Sequence, residues 1–121
     1  MRKEQRLRRR KDFAAAYRQG HVEGNQLLVL RVRPNGSDVT RFGFVAGKAV
    51  GGAVVRNLVK RRLREAARSI ETKPGLDIVI GARKSSATAE YRKLRQALIA
   101  LMKRTDVLAA PPKPAEGQEN A

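Results

Sequence analysis

Apolar residues recur along this chain with two periods, and the period separates helix from strand. The longest helical stretch is residues 51–68, GGAVVRNLVKRRLREAAR. At about 100° per residue, Val55, Val59, Leu63, Ala66 and, just beyond, Ile70 fall within an arc of roughly 80°, which predicts a helix seated on a core by that face. A second helix is predicted over residues 10–19, where Asp12 suits the first turn, the alanines at 14–16 favour helix, and Gly20 suits the position just past the end. A third is predicted over residues 88–103, capped by Thr88 or Ser86, with Tyr91, Leu94, Leu98 and Leu101 on one face. Phe13 and Tyr17, four apart, share a face of the second helix and serve either the core or a ligand.

Period two marks the strands. Residues 27–33, LLVLRVR, begin apolar and end in alternation, which sets Arg31 and Arg33 opposite Leu30 and Val32. Pro34, Asn35 and Gly36 supply a turn, and residues 41–47, RFGFVAG, resume with Phe42, Phe44 and Ala46 to one side, so these two runs are expected to pair as an antiparallel hairpin. Residues 76–80, LDIVI, are mostly apolar and predict an interior strand. From residue 109 the sequence AAPPKPAEGQENA holds three of the five prolines and no large apolar residue, which predicts a disordered tail over 109–121 behind a single domain at 1–108. No internal repeat is visible.

Charge changes this picture most. The 121 residues suffice for one modest core, yet they carry 27 Lys and Arg against 11 Asp and Glu, a formal charge of +16 that points to a polyanionic partner. A membrane-surface helix would set such cations opposite Trp, Phe or Leu, and this chain has no Trp. It has no Cys either, hence no disulfide, thiolate site or thiol nucleophile. No apolar run approaches a membrane span, and the start, MRKEQRLRRRKDF, lacks the apolar core of a signal peptide, so a cytoplasmic location is expected. Residues 1–11 hold seven cations and one acid, a basic arm expected to order on binding.

Beside the apolar arc of the 51–68 helix, a second arc collects Arg56, Lys60, Arg64, Arg61, Arg68 and Asn57, with Glu65 outside it. Like charges four apart destabilise a helix by ~0.2–0.5 kcal/mol per pair. A solvated basic face is the plain alternative, but cations confined to one side favour RNA or DNA there. Gly47, Gly51 and Gly52 just before this helix leave room for a phosphate to reach backbone N–H groups, although the nucleotide-hydrolase motif GxxxxGK[ST] is absent. The acids are scattered, and His21, the one histidine, has no ligand or catalytic partner nearby in sequence. Self-contained catalysis is not expected.

Residues 53–65, AVVRNLVKRRLRE, preceded by Arg41-Phe42-Gly43 and Lys48-Ala49-Val50-Gly51, resemble the signature of the bacterial ribonuclease P protein family. The basic start, Asp12-Phe13 with Tyr17 and Gly20, and Ala82-Arg83-Lys84 extend the resemblance over roughly residues 5–105. It implies an α/β domain (an α+β sandwich) with a central, mostly antiparallel sheet and three helices, the ribosomal-protein-like fold also found in elongation factor G. It also implies a left-handed βαβ crossover around the basic helix, against the general right-handed rule. In function it implies a partner for a catalytic RNA, the two together removing the 5′ leader of precursor tRNA by phosphodiester hydrolysis. Mg²⁺ would be held mainly by the RNA, with no metal site or catalytic residue on the chain, which alone would be inert; no DNA or membrane partner is implied. Arg56, Asn57, Lys60, Arg61, Arg64 and Arg68 would face the catalytic RNA. Phe13, Tyr17, Arg31 and Lys48 would line a cleft for the leader, and Arg6, Arg8, Arg9 and Arg10 would form the basic arm. Two positions depart from the family pattern: Leu58 where a basic residue is usual, a contact either missing or replaced by Arg62, and Arg31 where an aromatic is common. A ribosomal or other structural RNA-binding protein is the alternative, and a free-standing nuclease the third.

Overall fold

The computed structural model describes residues 2–111. Its elements follow as α1 (Arg10–Gln19), β1 (His21–Gly24), β2 (Leu28–Pro34), β3 (Arg41–Ala46), α2 (Ala53–Arg68), β4 (Leu76–Ala82) and α3 (Tyr91–Arg104). The strands form one sheet in the order β1-β2-β4-β3, antiparallel at the first two junctions and parallel at the third. This is the mostly antiparallel sheet with three helices that the family resemblance implied, and β3-α2-β4 is its parallel crossover.

The expected hairpin between residues 27–33 and 41–47 does not form, because β4 lies between β2 and β3. Burial explains the insertion. Asp77, Ile78, Val79 and Ile80 are all buried, so this run needs partners along both edges and cover on both faces. In β3, Phe44, Val45 and Ala46 are only half-buried, and that strand takes the edge. The turn after β2 leads instead toward the start of β4, where the Asn35 N–H donates to the Gly75 carbonyl at 2.9 Å. The pattern did not predict β1, four residues paired to β2 through Val22↔Arg31 and Gly24↔Val29. Asn25 shapes its turn: its side-chain oxygen accepts from the Leu27 and Leu28 N–H groups at 3.1 and 2.9 Å.

One face of the sheet carries the main core. Leu28, Leu30, Ile78, Ile80 and Phe42 pack there against Val59, Leu63 and Ala66 of α2 and Leu94, Leu98, Leu101 and Met102 of α3. The apolar arcs of both helices thus meet the sheet as their spacing requires. α3 begins at Tyr91 rather than Thr88, because residues 84–88 form a tight 3-10 turn in which the buried Ser86 hydroxyl donates to the Arg83 carbonyl at 2.7 Å. Neither Ser86 nor Thr88 caps the helix; the cap position is Glu90, without a side-chain bond.

The opposite face carries a smaller cluster in which Leu7, Ala16 and Val79 are buried with Phe13 and Val45 packed against them. Part of the basic arm is therefore placed by the protein itself. Residues 3–5 form a 3-10 turn, Arg6 pairs with Phe42, and the Leu7 N–H donates to the Phe42 carbonyl at 2.9 Å. Arg10 already belongs to α1. Of the tail expected at 109–121, residues 112–121 lie outside the described residues; Ala109 donates its N–H to the Glu71 carbonyl at 3.1 Å.

Candidate nucleic-acid interface

Seating α2 by its apolar arc leaves its cations beside the edge strand β3. Arg56, Lys60 and Arg64 are half-buried along that flank, while Asn57, Arg61 and Arg68 stand exposed. The Arg64 guanidinium lies 5.6 Å from the centre of the Phe44 ring. The Nε atoms of Arg56 and Arg64 are buried and have no hydrogen-bond partner. Arg68 is turned back to Glu65 at 3.1 Å, an exposed pair at i, i+3. Arg62 does not join this group: it donates to the Ala89 carbonyl at 3.0 Å, tying α2 to the segment before α3. It therefore cannot stand in for the basic residue missing at Leu58 without giving up that bond.

On the other face, register places side chains in rows across the sheet. Arg33, Asp77 and Arg41 share one row; Arg31, Val79 and Gly43 the next; Val29, Gly81 and Val45 the third. α1 crosses the middle row. A Cβ on Gly43 would stand 2.5 Å from the Phe13 ring, so the absent side chain is what lets that ring lie against the strand. Ala16 is buried with Val79. Tyr17 remains 46% exposed, with the Arg31 guanidinium 4.3 Å above its ring. The third row is half-buried, and the Arg83 guanidinium lies against Gly24 near its β2 end. The structure thus brings Phe13, Tyr17 and Arg31 together. Lys48 stands exposed in a 3-10 turn after β3, with no bond to that trio.

What fixes α1 in this position was not read from the sequence. Arg41 donates from Nε to Asp77 Oδ1 at 2.8 Å and from a terminal nitrogen to Oδ2 at 2.7 Å, while its other terminal nitrogen lies 3.4 Å from Asp12 of α1. Asp77 is fully buried and also accepts from the Asn35 side-chain amide at 3.0 Å, with Arg33 3.9 Å away. The bond to Asp77 raises the pKa of Arg41 above its usual value, against the lowering effect of burial. A signal was present: a lone acid inside a buried run needs a cationic partner, and Arg33 and Arg41 occupy the matching positions of the flanking strands.

Among the described residues the acids are scattered, and most are ion-pair partners. Glu23 lies between His21 and Arg104 at 3.1 and 2.7 Å, and Asp106 pairs with Lys73 at 3.1 Å. Among the described residues no three of His, Asp or Glu form a metal-binding group. Arg6, Arg8, Arg9, Arg10, Lys60 and Arg61, by contrast, enter no ion pair with any described residue. The arrangement can bind phosphates and stack bases; it holds no nucleophile with its base.

Comparison with known proteins agrees with this geometry. The family model described as Ribonuclease P matches residues 1–106. The ribonuclease P protein component of Streptomyces avermitilis is 45% identical over 112 residues, covering 84% of this chain and 91% of that protein. Among solved structures, the RNase P protein of Staphylococcus aureus superposes with a TM-score of 0.77 at 28% identity, over 86% of this chain and 97% of that one. That of Thermotoga maritima gives 0.73 at 34% identity, over 82% and 96%. A chain with this signature, sheet order and basic flank belongs to the ribonuclease P protein family.

Proposed function

We propose that the chain is the RNA-binding, non-catalytic subunit of ribonuclease P, acting with a catalytic RNA in the cytoplasm to remove the 5′ leader of precursor tRNA. The observation that carries this is the pairing, on one small domain, of a cationic flank on α2 with an exposed Tyr17 ring under the Arg31 guanidinium on the far face of the sheet. Arg56, Asn57, Lys60, Arg61 and Arg64 would meet the catalytic RNA, with Arg68 joining once it leaves Glu65. Tyr17 and Arg31 would take the single-stranded leader, with Phe13 holding α1 against the sheet beneath them, and Lys48, Arg6, Arg8, Arg9 and Arg10 would add phosphate contacts. Mg²⁺ supplies a Lewis acid and an activated water in such hydrolysis. Among the described residues the carboxylates are not gathered into a metal-binding group, and Asp12, Asp77, Glu23 and Asp106 are each paired with a cation; the RNA would hold the ion. What the chain contributes is charge and orientation: cations that offset phosphate repulsion, and the Tyr17 ring to hold the leader in one path.

The test is cleavage of precursor tRNA by the purified protein, by the RNA, and by both. Activity is expected only where the RNA is present, with the protein enhancing it at low Mg²⁺. Metal-dependent cleavage by RNA-free protein would turn the assignment toward a free-standing nuclease, and RNA activity indifferent to the protein would turn it toward a structural RNA-binding role.

A further inference from the structure

The edge of β3 that faces away from β4 is only partly used. Along it, the described residues supply one backbone bond, from the Leu7 N–H to the Phe42 carbonyl. Backbone groups of alternate strand residues point to the same side, so the Phe44 N–H and C=O, one step further along, face the same edge and have no partner there. Beyond Leu7 the arm turns away into α1. A groove remains, lined by Arg6, Arg8, Phe13, Phe44, Lys60 and Arg64. The four cations enter no ion pair with a described residue, and no acid lines the groove. The Phe44 ring is half-buried, stacked on Phe42 at 6.3 Å and 16°, with Arg64 over it and the Arg64 Nε unsatisfied.

These are the parts that recognise a nucleobase outside a duplex: a ring and a planar guanidinium for its faces, an adjacent donor and acceptor for its edge, and cations for the phosphates on either side. The gap between Arg64 and Phe44, 5.6 Å from guanidinium to ring centre, is somewhat less than the roughly 7 Å that two stacking distances need, so Arg64 would swing outward by a small amount. We propose that this groove seats one unpaired nucleotide of the catalytic RNA, its base against Phe44 and its edge on the Phe44 N–H and C=O. The cations of Arg6, Arg8, Lys60 and Arg64 take its neighbouring phosphates. The catalytic RNA is the source because the groove is continuous with the α2 flank; the inference rests on the reading that this flank binds that RNA.

Full-length protein and the catalytic RNA test it by equilibrium binding across a salt series, with melting temperature followed in parallel. Phe44→Leu keeps apolar volume for the core but removes the ring. It is expected to weaken assembly about ten-fold with the salt slope unchanged, since stacking releases no counterions. Arg64→Lys keeps the charge but loses the plane, and is expected to weaken assembly severalfold. Should Phe44→Leu fold poorly, hydrogen exchange of the wild-type protein decides: the Phe44 amide, open in the free chain, is expected to become protected in the complex. An unprotected amide overturns the proposal, as does wild-type assembly by a folded Phe44→Leu, or a loss confined to leader-bearing precursor. Arg61→Ala, outside the groove, tests the underlying reading separately. A weakened Arg61→Ala beside an unaffected Phe44→Leu removes the groove alone, whereas unchanged binding by both removes the α2 reading with it.

Discussion

Phe13 and Tyr17 occupy equivalent places in the helical pattern, yet tertiary packing gives them different work. Phe13 rests on Gly43 among Leu7, Val79 and Val45, so its removal is expected to lower stability toward the ~3–5 kcal/mol of a buried ring. Tyr17 is 46% exposed and touches Arg31. Tyr17→Ala is expected to leave melting nearly unchanged while weakening holoenzyme affinity for leader-bearing precursor by ~1–3 kcal/mol, with mature tRNA unaffected. Equal losses for precursor and mature tRNA would remove Tyr17 from the leader site. Asp77 gives the complementary case. Asp77→Ala leaves the donors of Arg41 and Asn35 without their acceptor, and breaking a buried pair by one partner costs ~3–5 kcal/mol. The lower end is expected because the Arg41 side chain is 30% exposed and keeps some water. A melting temperature within a degree or two of wild type would refute that role. None of this was visible in composition: the aromatic pair left core and ligand open, and Asp77 was absorbed into an apolar run.

Among elements, α2 shows most directly how one sequence period serves both fold and function. Its buried arc seats it on the sheet, and the cations follow on the flank because that is where the remaining positions fall. Arg56→Ala and Arg61→Ala are each expected to weaken catalytic-RNA binding and to flatten the salt dependence by about 0.9 in slope, the value for one phosphate contact on a duplex. Arg62→Ala serves as the internal comparison. Because Arg62 is engaged with the Ala89 carbonyl, its loss is expected to lower stability by about 1 kcal/mol, the net worth of a hydrogen bond, while leaving the salt slope where it was. A salt slope altered by Arg62→Ala as much as by Arg61→Ala would return Arg62 to the RNA-facing group. Helices of this kind are legible in advance because their periodicity is local. Strand neighbours are not: residues 27–33 and 41–47 read as a hairpin, and only the burial of Ile78, Val79 and Ile80 on both faces inserts β4 between them.

At the scale of the whole molecule, +16 of formal charge on 121 residues sets how the chain meets RNA. Charge of this density offsets phosphate repulsion that divalent ions would otherwise screen, so adding the protein is expected to lower the Mg²⁺ concentration at which the catalytic RNA reaches half its maximal rate. The benefit should shrink as monovalent salt rises; a Mg²⁺ requirement indifferent to the protein at every salt concentration would contradict this. The sequence by itself determined the charge, the three helices, the buried faces of α2 and α3, the strands at 27–33, 41–47 and 76–80, and the family signature at 53–65, since composition, periodicity and motif are all properties of neighbouring residues. Tertiary structure alone decided the order of the strands, the clamp of Arg41 between Asp77 and Asp12, the division of labour between Phe13 and Tyr17, and the open edge at Phe44. Each of these depends on partners well separated along the chain, as Arg41 is from Asp12 by 29 positions and from Asp77 by 36, and such partners are chosen by which surfaces must leave water together rather than by any local preference.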